Sequence, residues 1–170
     1  TGAAKESFDP DVFWLDPNSV PTIGDYFRAA GYQTYWKGKW HASDADMLIP
    51  GTHNQRASYD PQPGAPSPER ERLYLNANRL GRYSFSGWIG REPHGAAKQD
   101  SGTVRDGVFA EQVVELFDEL AGGADDTPWL AVASFVNPHD IAFAGGLYEL
   151  LLGGTPTDDT VPRIAAAPSQ

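Results

Sequence analysis

The 170 residues include no cysteine. Without thiols this chain can form no disulfide and no thiolate metal site, and its redox compartment stays open. Positive charge is also scarce: 13 Lys and Arg stand against 23 Asp and Glu, a formal net charge of -10. A general nucleic-acid or anionic-membrane binder needs many cations on one face, so both classes are disfavoured and any anion must be held locally. No apolar run approaches the ~18 to 20 residues of a membrane span, and the N-terminus lacks the charged and apolar regions of a signal peptide. TGAAKESFDP opens the chain without an initiator Met and AAAPSQ closes it, which is expected of an internal piece of a longer protein and leaves localisation open. The remainder is ordinary globular composition, 40% hydrophobic and 21% charged, at a length that fits one domain with a real core.

One stretch runs against the scarcity of cations. From Phe27 to Ser43 there is no Asp or Glu, yet Arg28, Lys37, Lys39 and His41 fall within it. It begins as a helix: after Pro21-Thr22, the residues Ile23, Tyr26, Phe27 and Ala30 share one face, and Gly31 supplies the stop. YQTYW at 32 to 36 is β-branched and aromatic with period-2 alternation, which predicts a strand that runs directly into KGKWH.

The same grammar returns later. Phe109, Val113, Leu116, Phe117 and Leu120 predict a helix over 105 to 121, closed by Gly122-Gly123 and followed by a turn at ADDTP. WLAVASFV, 129 to 136, is an almost unbroken apolar run, the pattern of a strand buried on both faces of a parallel sheet, and it ends in NPHD. Two helix-strand units imply an α/β fold with a mostly parallel sheet flanked by helices. Between them, 44 to 103 reads as an irregular insertion with a Pro-rich loop, PQPGAPSPER, and a short helix in ERERLYLNANRL. Residues 142 to 170 read as a loop-rich tail with one short apolar helix, GLYELLL.

Each unit delivers a histidine just after its strand, His41 and His139. Ligands in open α/β sheets bind at the carboxyl ends of strands, so parallel neighbouring strands would bring Lys39, His41 and His139 to one crevice. Lys39 and His41, two apart, point the same way in extended backbone, and Lys37 joins them only where Gly38 does not break the alternation. Lysine as a point charge and histidine as donor or proton shuttle suit a tetrahedral oxyanion. A histidine or lysine at a strand end is also commonly just solvated or hydrogen-bonded, and spacing alone leaves both readings open. His53 and His94 sit in loop contexts that favour surface or structural roles. No H-x-H or H-x-x-x-H appears, and GRYSFSGWIG holds neither G-x-S-x-G nor a P-loop, so a histidine zinc site and a nucleophilic serine are unsupported. Tyr83, Phe85 and Trp88 are candidate pocket walls, with core packing the commoner role for such residues.

VPTIGDYFRAAGYQTYWKGKWH and WLAVASFVNPHDI resemble two stretches of the sulfatase family, in the alkaline-phosphatase-like superfamily: a helix, A-G-Y, a strand and G-K-W-H, then a later strand ending in N-P-H. GWIGREPHG and the helix after it also resemble the intervening part of bacterial members, and the similarity runs over about residues 18 to 141. The resemblance implies a partial alkaline-phosphatase-like sulfatase core, with 1 to 170 an internal part of a single catalytic domain and the rest of that domain its partner. By position, Lys39 is similar to the family's sulfate-binding lysine, His41 to the histidine that contacts the formylglycine nucleophile, and His139 to the histidine beside the leaving oxygen. It implies hydrolysis of small-molecule sulfate monoesters with a divalent cation, calcium in the family's pattern. Two other readings stay open: a phosphate or phosphonate monoester hydrolase of the same superfamily, and a non-catalytic anion-binding module. The family's Cys/Ser-x-Pro-x-Arg nucleophile motif has only an echo here, Pro66-Ser67-Pro68-Glu69-Arg70, with a proline at the nucleophile position, and the metal-binding Asp pairs are missing. Nucleophile and metal ligands are therefore expected outside this chain, which by itself is expected to be inactive.

Overall fold

A computed structural model describes residues 13 to 62, 64 to 93 and 98 to 140; the tail expectation for 142 to 170 and the context of His94 lie outside them. Helix α1 spans Ile23–Ala29 and strand β1 spans Gln33–Gly38. Thr22 caps α1 in a capping box: its hydroxyl accepts the Asp25 N–H at 3.3 Å, and Asp25 accepts the Thr22 N–H at 2.6 Å. Gly31, at φ +88°, ends the helix as the sequence predicts, with the Tyr32 N–H returning to the Phe27 carbonyl at 3.0 Å. The apolar face does not point inward, however. Ile23 and Tyr26 are 55% and 65% exposed, and the buried residue of α1 is Gly24. A Cβ on Gly24 would stand 2.7 Å from the carbonyl oxygens of Tyr83 and Ser84, so the helix approaches its neighbour backbone to backbone on that side.

Helix α2 occupies Pro68–Ala77, with Ser67 at its N-cap and proline at the first turn. The Pro66-Ser67-Pro68-Glu69-Arg70 echo is therefore a helix-opening sequence. A 3₁₀ turn, Arg79–Tyr83, leads to the segment around Ser86, and the long helix α3 runs Gly102–Gly122 before strand β2, Trp129–Ser134.

β1 and β2 pair in parallel from Gln33↔Trp129 to Gly38↔Ser134. On the other side of β1, Ser86 makes a parallel bridge to Tyr35, with the Trp36 N–H on the Ser86 carbonyl at 3.0 Å and the Ser86 N–H on the Thr34 carbonyl at 2.9 Å. β1 is thus central, and the parallel α/β expectation holds. β2 differs from expectation: Trp129 is 44% exposed and Phe135 45%, so the run is covered on one side, not both. Its continuous apolarity is a pattern for a strand with more cover than the described residues provide.

The stretch between the two units supplies most of the core. Tyr74, Leu80, Tyr83, Phe85 and Trp88 are each at most 3% exposed and pack with Ala45, against Trp36 and Trp40 from the β1 side. Tyr83, Phe85 and Trp88 are therefore packing residues. α3 buries Gly102, Arg105, Phe109, Gln112 and Leu116. Phe109 and Leu116 match the predicted face, whereas Phe117 is 42% exposed against Trp129. Arg105 is buried because it has partners: its guanidinium lies 4.0 Å over the Tyr59 ring and donates to the Gly64 carbonyl.

Candidate functional site

The last register pair, Gly38↔Ser134, marks where both strands release their loops at the same end of the sheet. The Lys39 N–H donates to the Ser134 carbonyl at 2.8 Å, one step beyond the ladder. K-W-H and the N-P-H-D loop thus leave from adjacent points.

Gly38 decides which cations stay. At φ +96° it breaks the strand alternation, and a Cβ there would lie 2.0 Å from the Ser134 carbonyl oxygen. Lys37 is consequently turned to the other side, where its ammonium donates to the Gly87 carbonyl at 2.9 Å and lines a pocket with Glu71, Glu111, Glu115 and Glu119. Burial lowers its pKa, with Glu119, Glu115 and Glu71 opposing. Arg28 turns to Thr34 and Ser86, at 2.9 and 2.8 Å. Of the cation-rich stretch, only Lys39 and His41 enter the loop beyond β1.

That loop is fixed residue by residue. The Trp36 indole N–H donates to the Lys39 carbonyl at 3.0 Å, the Trp40 indole N–H to the Ser43 hydroxyl at 2.7 Å, and the Leu15 N–H to the Ala42 carbonyl at 3.0 Å. His41 sits at φ +46°, the left-handed region that a side chain adopts only at a cost, and its ring lies 6.3 Å from that of Trp14. The N–H groups of Trp40 and His41 both donate to one carboxylate oxygen of Glu92. Glu92 is 4% exposed, and its own N–H meets both oxygens of Asp46 at 3.0 and 3.2 Å. Burial pushes Glu92 up to about 7, with the Asp46 charge adding and the Trp40 and His41 N–H groups opposing; burial likewise pushes Asp46 up to about 6.

The second loop is locked to the start of α3 by two carboxylates working in opposite directions. Asp106 on α3 accepts the N–H groups of Val136 at 2.6 Å and Asn137 at 3.1 Å. Asp140 in the loop accepts the Gly102 N–H, in the first turn of α3, at 2.6 Å. Asp140 is 4% exposed and places an oxygen 3.4 Å from Nδ1 of His139, whose side chain is 48% accessible. A carboxylate on Nδ1 orients an imidazole and leaves Nε2 for other partners. A cis peptide joins Asn137 and Pro138.

Sequence reasoning named Lys39, His41 and His139 and missed Glu92, Asp46, Asp106 and Asp140. Asp140 alone carried a local signal, as the neighbour of a candidate histidine. His53 lies in an exposed turn, as expected. Among the described residues no group of three or more His, Asp or Glu is arranged to hold a metal ion, and none of their helices is long and apolar enough to cross a membrane.

No curated protein and no solved structure matches the chain. The family model described as sulfatase matches residues 1–159, nearly its whole length and both histidine-bearing loops, and the chain belongs to the sulfatase family.

Proposed function

We propose that this chain supplies part of the sulfate-binding site of a sulfate monoester hydrolase, with Lys39, His41 and His139 as its anion-site residues. The observation that carries the reading is the Gly38↔Ser134 register, which releases the K-W-H and N-P-H loops side by side at the carboxyl end of a parallel sheet. The ammonium of Lys39 offsets the charge of the sulfate group. His41 donates a hydrogen bond on the nucleophile side. His139 gives a proton to the bridging oxygen as the S–O bond breaks, where negative charge builds in the transition state. Asp140 supports that step by holding the Nδ1 side of the ring.

Sulfatases in general use a formylglycine nucleophile and a divalent cation. The residues present fit neither: there is no cysteine, and the nearest motif echo has Pro66 at the nucleophile position. No step is assigned to either group in this chain, and on this reading both come from the rest of the catalytic domain. The test is an aryl sulfate assay. In the complete protein, Lys39→Ala or His139→Ala should lower kcat/KM by about 10²-fold or more, the scale of losing a preorganised charge or a proton-transfer group. The 170 residues alone should show no turnover, with or without calcium. Near-normal activity of Lys39→Ala, turnover by the isolated chain, or phosphonate hydrolysis well above sulfate hydrolysis would each overturn the reading.

A further inference from the structure

The Lys39 N–H and carbonyl are held by the neutral Ser134 carbonyl and Trp36 indole, whereas the next two N–H groups of the loop meet an acidic side chain. The N–H groups of Trp40 and His41 converge on Glu92, about fifty residues away in sequence, and both reach the same oxygen, Oε1. The other oxygen, Oε2, is buried and has no hydrogen-bond partner among the described residues. A buried carboxylate is an expensive choice where a neutral carbonyl would satisfy the same donors. It also has an acidic neighbour, Asp46, which receives the Glu92 N–H through both oxygens.

We propose that Glu92 is a positioning residue for the anion site, its carboxylate clamping the backbone between Lys39 and His41 so that the two side chains are presented together. The inference rests on the reading of Lys39 and His41 as anion-site residues. Three features of the geometry support it. The clamp closes on the residue held at φ +46°, the one conformation in the loop that needs outside support. By drawing two consecutive N–H groups toward itself, Glu92 takes them away from an incoming sulfate, so that binding is left to the side chains. Two consecutive backbone donors on one carboxyl oxygen also fix both N–H directions at once, which suits holding the loop still when a ligand binds.

The experiment uses the complete protein and three measurements: aryl sulfate kinetics, inhibition by inorganic sulfate, and unfolding temperature. Glu92→Gln keeps the shape and one acceptor oxygen but removes the charge. It should unfold within about 3 °C of the wild type, while kcat falls by about 10-fold to 100-fold, the scale of a reacting group displaced by about 1 Å. The inhibition constant of inorganic sulfate should rise in parallel, a change that a merely structural role would not produce at unchanged stability. Lys39→Ala is measured beside it. Loss of activity in Lys39→Ala with wild-type kinetics and sulfate inhibition in Glu92→Gln overturns the positioning role alone, whereas normal activity in Lys39→Ala overturns the underlying site. Should Glu92→Gln fail to fold, amide exchange in the wild type decides: slow exchange at Trp40 and His41 relative to the other exposed loop amides supports the clamp, and unprotected amides overturn it.

Discussion

Replacing Gly38 by alanine tests whether the strand exit is built around the absence of a side chain. The perturbation has two separable costs. An L-residue at φ +96° lies in a region disfavoured by about 1–2 kcal/mol. The new Cβ would also stand 2.0 Å from the Ser134 carbonyl oxygen and 3.1 Å from the Phe109 ring. Carbonyl and ring belong to β2 and α3, so relief requires β1 and β2 to separate locally by more than an ångström. The first bond lost is the Lys39 N–H to Ser134 carbonyl bond, now 2.8 Å, a further ~1 kcal/mol with the ladder pair beside it. The sum is about 2–3 kcal/mol, which corresponds to a fall of about 4–12 °C in unfolding temperature on the scale of a roughly 150–250-residue unit. Differential scanning calorimetry of the complete protein reads it directly, and aryl sulfate turnover should fall with it because the displaced strand end carries Lys39. An unfolding temperature within about 2 °C of the wild type would refute the close approach.

Asp106→Ala should destabilise by about 2 kcal/mol, the scale of charge-assisted bonds to two backbone donors, and should reduce kcat more than Lys37→Ala does, since Lys37 faces away from the loops; equal effects on turnover would contradict the geometry. Stability should depend on pH through Asp46 and Glu92. Both carboxyls have pKa values raised above their ordinary ones, to about 6 and about 7, so the folded state binds more protons than the unfolded chain between roughly pH 4 and pH 7. Their contribution is full below that window and is lost as pH rises through it. Urea unfolding at pH 5 and pH 8 should show the fall, and Glu92→Gln should show a smaller one; a variant as pH-sensitive as the wild type would count against Glu92 as its source.

The parts of this fold that were legible in sequence are those written in local chemistry. Thr22, Asp25 and Gly31 bracket α1 because caps act over three or four residues, and the β-branched, aromatic run after them has no competing helical period. Lys39, His41 and His139 could be named because each lies immediately beyond such a strand. The direction of α1 was not legible, since Gly24 seats the helix through a backbone approach that leaves no hydrophobic signature. The side chosen by Lys37 depended on the φ of Gly38, and glycine permits both signs. Glu92, Asp46 and Asp106 escaped for a different reason. They bind backbone N–H groups thirty to fifty residues away, and a carboxylate that satisfies a distant main chain looks, in sequence, like any solvated acid.

The packing of Trp40 gives the loop an optical handle. Its indole stands edge-on to Trp36 with ring centroids 4.9 Å apart, and it also touches the rings of Tyr83 and Phe85 at 5.1 and 6.1 Å. Two indoles held this close at an interplanar angle of 87° form a coupled pair of chromophores, and one of them lies between Lys39 and His41 in the chain. A shift of the loop by even a fraction of an ångström changes the coupling, so release of the loop in Glu92→Gln should be readable as a change in the ultraviolet circular dichroism of the protein, without a label and without turnover.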